Sequence, residues 1–175
     1  MIRKKNLYVK PRKMYQKERI QEENVLLKKY GLKSKKEVWK TLAKVNYYRH
    51  RARELAKRPL DEQEVLFTKL KAIGLKVNNI ADVLNLKIED LLQRRLPTIV
   101  FERKFAPTVK TARQMVVHKR VMINGKIVNT PGYLVEVSEE NSINVKAQQI
   151  KMNALQTENS ENAESEETTD GEENE

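Results

Sequence analysis

Cysteine is missing from all 175 residues. Its absence excludes disulfides, thiolate zinc sites and cysteine nucleophiles, and fits a reducing compartment such as the cytoplasm. Aromatic residues are sparse at 6%, with Trp39 the single tryptophan, and hydrophobic residues reach only 39% against 34% charged. A large single core is therefore not expected. No apolar run approaches the roughly 20 residues of a membrane span. The basic N-terminus has no apolar segment behind it, which argues against a secretory signal, and its lysines outnumber the arginines that mark organellar leaders. His50 and His118 are the only histidines, and neither has a second ligand near it in sequence, so no metal or other cofactor is expected. Nucleophile elbow, P-loop and glycine-rich dinucleotide turn are all lacking, and an enzyme is not expected.

What the chain does have is positive charge, unevenly placed. Its net charge is +11. Residues 1–60 hold 20 basic and 5 acidic side chains, 61–95 hold 6 of each, 96–137 hold 7 and 2, and 157–175 hold nine acids and no base. Two basic segments flanking a neutral one are the electrostatic footprint of a polyanion binder.

Residues 1–15 carry six basic groups and no acid. They lack a periodic apolar face, so they are expected to be disordered alone and to thread along phosphates when bound, with Arg12 and Lys13 as candidate contacts. A helix is predicted over 16–30, stopped at Gly31. A second is predicted from Ser34, with Glu37 three residues on completing a capping box, to about Lys57 before Pro59. Val38, Leu42, Val45 and Ala52 form its apolar stripe. Its other faces carry Lys40, Lys44, Tyr47, Arg49, His50 and Arg53, and Glu54 is the one acid between 45 and 58. Like charges crowded without opposing acids lower stability unless a partner neutralises them, so these six are candidate contacts for such a polyanion. Residues 61–95 read as short helices with acids at their starts, a core region with a possible protein-facing surface. From 151 the chain loses pattern and becomes an acidic, disordered tail.

Between Leu96 and Val137 the pattern is denser. Pro97 suits the first turn of a helix. Thr108 caps another that runs to about His118, with Val109, Ala112, Met115 and Val116 on one face, Lys110, Gln114 and His118 opposite, and Arg113 on the flank. A period of two follows through Val121–Ile123. Asn124-Gly125 then supplies a type I′ hairpin turn, and Tyr133 to Val137 reads as further strand.

The order R-L, I-V-F, F-A, T-x-x-x-A-R-Q-x-V-x-H, V-x-I-N-G-x-x-V-N-x-P-G-Y-x-V, from Arg95 to Val135, resembles the S-four RNA-binding domain. The stretch Tyr15 to Lys40 is similar to the N-terminal region of the archaeal and eukaryotic branch of the small-subunit ribosomal S-four family. Bacterial-type members often carry a cysteine zinc site there, and this chain has none to carry over. The resemblance implies an α+β fold: a mostly helical N-terminal region (16–95) and a small helix–helix–hairpin RNA-binding domain of the alpha-L type (96–150), between a basic segment (1–15) and the tail (151–175). It implies a ribosome-bound, non-membrane protein that contacts small-subunit ribosomal RNA and small-subunit proteins five and twelve, nucleates assembly and influences translational accuracy. Candidate RNA contacts in this domain are Arg95, Thr108, Lys110, Thr111, Arg113, Gln114, His118, Lys119, Arg120, Asn124 and Lys126. Glutamate at position 110 or 113 is expected to weaken RNA binding and leave the fold nearly unchanged. Two other readings stay open. One is a free-standing S-four-domain chaperone acting on ribosomal particles; the other is an interaction module using the 61–95 helices and the tail. S-four domains on pseudouridine synthases and tyrosyl-tRNA synthetases accompany large catalytic domains, for which this chain has no room.

Overall fold

Helix α2 (Lys35–Leu55) is the rod against which α1 (Lys17–Lys29), α3 (Leu60–Ala72), α4 (Ile80–Asn85) and α5 (Ile88–Gln93) pack. These belong to residues 7–146, which the computed structural model describes. The first six residues of the basic segment, the end of the expected hairpin domain (147–150) and the acidic tail lie outside the described residues.

Local chemistry accounts for the helix ends. Lys28 and Lys29 sit in the last turn of α1, where the helix dipole favours cations. Gly31 follows at φ +57, with the Leu32 N–H donating to the Leu27 carbonyl at 3.0 Å, a left-handed stop that glycine adopts without strain. Asp82 Oδ2 accepts from the Asn78 and Asn79 N–H groups at 2.9 and 3.0 Å, and Asp90 Oδ2 from the Lys87 N–H at 2.7 Å. These carboxylates satisfy donors that α4 and α5 leave open at their starts.

Two hydrophobic clusters follow. In the first, Val45, Ala52 and Leu55 of α2 meet Leu66, Leu70, Leu75, Val77, Val83, Leu86 and Leu91. Leu42, expected in the same stripe, is 38% exposed, because a position four residues past Val38 turns about 40° from it, to the side away from Val45 and Ala52. The second cluster draws on α6 (Leu96–Glu102), α7 (Val109–Val117) and the strands: Leu96, Ile99, Val100, Ala106, Ala112, Val116, Val121, Ile123, Val135 and Ile143. Residues 94–96 and 133–135 join the two. The Leu96 N–H donates to the Tyr133 carbonyl and the Val135 N–H to the Arg94 carbonyl, each at 3.0 Å. Because side chains alternate along extended backbone, Leu134 packs on the first cluster while Tyr133 and Val135 pack on the second.

The sheet is small: β1 (Val121–Ile123) lies between β2 (Lys126–Ile127) and β3 (Ile143–Val145), both antiparallel to it. Asn124 and Gly125 have φ of +50 and +75 and join Ile123 to its partner Lys126, the expected tight turn. Tyr133 to Val137 does not extend this sheet. Leu134 forms an isolated bridge with Arg95, a 3₁₀ turn covers Val137–Ser142, and β3 takes the free edge of β1. The fold is thus α+β, mostly helical, with one three-stranded sheet among the described residues.

Two further expectations change. From Leu7 the basic segment is laid on the helices: Tyr8 stacks at a tilt on Trp39, ring centres 6.0 Å apart, and Arg19 Nη2 donates to the carbonyls of Lys13 and Met14 at 2.8 and 3.0 Å. Ser34 caps α2 without a side-chain hydrogen bond, and the Glu37 carboxylate is used elsewhere.

Candidate nucleic-acid interface

Helix α7 presents one half of the candidate interface. The Thr108 hydroxyl accepts from the Thr111 N–H at 3.2 Å and lies 2.7 Å from the Thr111 hydroxyl, so both threonines are engaged in starting the helix. Ala112 and Val116 are buried, and Lys110, Gln114 and His118 are exposed on the far side. The helix ends at Lys119, whose φ is +58, with the Arg120 N–H reaching the Met115 carbonyl at 3.0 Å. Lys119, Asn124 and Lys126 are exposed and Arg120 is half-buried.

Helix α2 presents the other half of the candidate. Lys40, Lys44 and Tyr47 recur at helical spacing on one exposed face. Tyr47 is 65% exposed and edge-on to Tyr48 at 5.7 Å. Desolvation and the nearby charge of Arg95 both lower the pKa of the Lys44 ammonium. His50 and Arg53 are exposed, and His50 Nδ1 lies 3.4 Å from Glu54. Arg12 and Lys13 are exposed ahead of α1.

Three expected contacts are occupied inside the molecule. Arg49 Nη2 donates to the Leu86 carbonyl at 2.6 Å, tying α2 to the end of α4. Arg95 is 6% exposed; its Nε donates to the Pro131 carbonyl at 3.1 Å and its Nη2 to Glu37 Oε2 at 2.7 Å. Arg113 donates from Nη1 to Glu37 Oε2 at 2.9 Å and from Nη2 to Oε1 at 2.6 Å. Burial by itself would raise the Glu37 pKa, but the hydrogen bonds and charges of the two guanidiniums outweigh it and bring the carboxyl to about 2. Glutamate at 113 would therefore face Glu37 across a part-buried contact and destabilise the fold, contrary to the expectation from the helical wheel. Lys110 is the position where the side chain can change without this consequence.

The same junction is close-packed in the backbone. A Cβ on Gly31 would lie 3.2 Å from the Val109 carbonyl carbon and from its Cγ1, so the α1–α2 turn abuts the first turn of α7. Sequence reasoning missed Glu37 as a junction residue, since the local capping pattern had already given it a role. Arg51, Lys57 and Arg58, read from the sequence as part of the same basic helix faces, are exposed as well, and so is Lys104, which sequence reasoning passed over.

Among the described residues, no three or more His, Cys, Asp or Glu come together as a metal site. No described helix is long and apolar enough to cross a membrane.

Residues 94–141 match the family model of the S4 domain. Over 132 residues, 72% of this chain and 77% of the other, it is 46% identical to the small ribosomal subunit protein uS4 of Methanothermobacter thermautotrophicus. It is 42% identical over 147 residues to uS4 of Ignicoccus hospitalis, covering 77% and 89% of the two chains. It is 40% identical over 152 residues to uS4 of Methanocella arvoryzae, covering 79% and 74%. The chain belongs to the small ribosomal subunit protein uS4 family. In uS4 terms, the S4 match starts at Arg94 and so takes in the Arg94–Arg95 link to the helical region. The likeness to these uS4 proteins covers 72–79% of this chain, so it extends well past the 48 residues of the S4 match.

Proposed function

We propose that this chain is a structural constituent of the small ribosomal subunit and binds that subunit's ribosomal RNA through the paired α2 and α7 faces. The observation that carries the reading is their junction. Lys40, Lys44 and Tyr47 of α2 and Lys110 and Gln114 of α7 are exposed on two helices that Glu37 and Arg113 bind to each other. Phosphate contacts from the lysines and arginines supply affinity and fix orientation. Tyr47 offers a face for a base or ribose, and Gln114, Asn124 and the threonine hydroxyls offer partners for ribose 2′-hydroxyls, which set RNA apart from DNA. Arg95 acts from within, through Glu37, and Arg113 joins it there. Arg12, Lys13, Arg53, His50, Lys119, Arg120 and Lys126 extend the contact outward.

In this reading residues 16–95 and 96–150 are the two working parts, and the protein holds RNA helices together early in subunit assembly. It resides with ribosomes in the cytoplasm, touches small-subunit proteins five and twelve, influences decoding accuracy and has no catalytic step. The names of its relatives support the ribosomal assignment over that of a chaperone for free particles.

A direct test is binding of the full chain to in-vitro-transcribed small-subunit ribosomal RNA at several salt concentrations. Preference for that RNA over large-subunit RNA, with affinity falling steeply as salt rises, is expected because several phosphates are neutralised. Lys110→Glu is expected to weaken binding by about 1–2 kcal/mol with an unchanged circular dichroism spectrum. No preference between the two RNAs, or a flat salt response, would remove the reading.

A further inference from the structure

Glu37 is an acid in the middle of a basic surface. Lys35, Lys36, Lys40 and Lys44 surround it in sequence, and Arg95 and Arg113 in space. If only net charge mattered, its removal would tighten the grip on a polyanion. Yet three parts of the chain converge on its two oxygens: α2 supplies the carboxylate, α7 a fork of two hydrogen bonds, and the segment before α6 a guanidinium that also holds the Pro131 carbonyl. A planar guanidinium facing a carboxylate in this way fixes direction as well as distance. Gly31 against Val109 brings the α1–α2 turn onto the start of α7 as well.

We propose that Glu37 is a positioning residue for RNA recognition, holding the Lys40–Lys44–Tyr47 face of α2 in register with the Lys110–Gln114 face of α7 so that both meet one RNA surface. The inference rests on the RNA-binding reading above and deepens it. Two basic faces that can shift against each other lose orientational freedom on binding, whereas a pre-set pair does not, so registration converts into affinity. It also sets how many phosphates are engaged at once, a quantity that the salt dependence reports.

Two acids on α2 give opposite expectations. The full chain and its Glu37→Gln and Glu54→Gln variants are titrated with the small-subunit ribosomal RNA of Methanothermobacter thermautotrophicus at several salt concentrations. Glu54 is exposed and touches only His50 and Arg51 among the described residues, so its neutralisation is expected to leave binding unchanged or tighter. Glu37→Gln is expected to weaken binding roughly tenfold despite the added positive charge, and to flatten the salt slope by about one phosphate. Binding by Glu37→Gln as tight as wild type, or tighter, overturns the proposal. Should Glu37→Gln lose its helical circular dichroism, Arg113→Lys takes its place, keeping the charge and removing the fork. Weaker binding at equal charge is then expected, and wild-type affinity overturns the proposal. A wild-type chain that does not prefer small-subunit over large-subunit RNA defeats the underlying reading instead, and is seen before any variant is compared.

Discussion

At the scale of single residues, charge in this chain works in two ways. Lys40 and Lys110 stand out in solvent, while Arg49, Arg94, Arg95 and Arg113 are spent on internal bonds. Arg94 is the clearest structural case: its Nε donates to the Ile73 carbonyl at 2.5 Å and its Nη2 to the Val135 carbonyl at 3.2 Å, with Glu140 also paired to it. Gly74, at φ +87, lies directly beneath, where a Cβ would come within 2.6 Å of the Arg94 Cζ. Sequence could not sort these arginines, because their partners are far along the chain. Arg95 is 58 positions from Glu37, and Arg113 is 76. Local spacing instead offered Ser34 as the partner of Glu37. Two guanidiniums outcompete a neutral amide for a carboxylate, and the capping box gave way.

A pH consequence follows at the same scale. The Glu37 carboxyl is at about 2 in the folded chain against an ordinary 4.5. A depressed acid pKa contributes stability that is fully present above 4.5 and is lost as pH falls towards 2. A shift of this size corresponds to on the order of 3 kcal/mol. Chemical denaturation followed from pH 6 to pH 2.5 is expected to show wild type losing most of that difference while Glu37→Gln stays flatter over the same range. Parallel curves for the two proteins would contradict the ion-pair account.

At the scale of elements, starts and stops were the most legible part of the sequence. Thr108 begins α7, Pro97 stands in the first turn of α6 and Asn124-Gly125 makes the hairpin turn. Each follows from backbone chemistry that acts within four residues. The stretch Tyr133 to Val137 was not legible: its strand-like residues pair with Arg94–Leu96, a choice made by tertiary contact between the two cores. Lys119 is the informative exception among helix ends. It occupies a left-handed position where glycine is the low-strain residue. Lys119→Gly is expected to raise stability by about 0.5–1 kcal/mol while weakening RNA binding several-fold. A thermal melt and an RNA titration on the same preparation check both signs. Lower stability would show that the lysine stem packs usefully, and unchanged affinity would remove Lys119 from the interface.

At the scale of the whole molecule, the division of charge anticipated where core would lie better than it anticipated how the basic stretches meet. The neutral 61–95 stretch does supply core, with Leu66, Leu70, Leu91 and Leu92 buried. The basic stretches before and after it meet across the Glu37 junction. That meeting was invisible in sequence, since nothing in either segment alone says that the α1–α2 turn abuts α7. The α+β class and the family could be read ahead of the structure because the S-four pattern is long and ordered. The seam between the two parts was found only in three dimensions.

The central claim is that this body works as part of the small ribosomal subunit, and one measurement addresses it most directly. Tagged full-length protein, expressed in the organism that encodes it, is followed through a density gradient of cell lysate at low and high salt. Co-migration with small subunits and polysomes, released only at high salt, is the predicted result. Recovery with free large subunits, or in the light fractions at low salt, would contradict it.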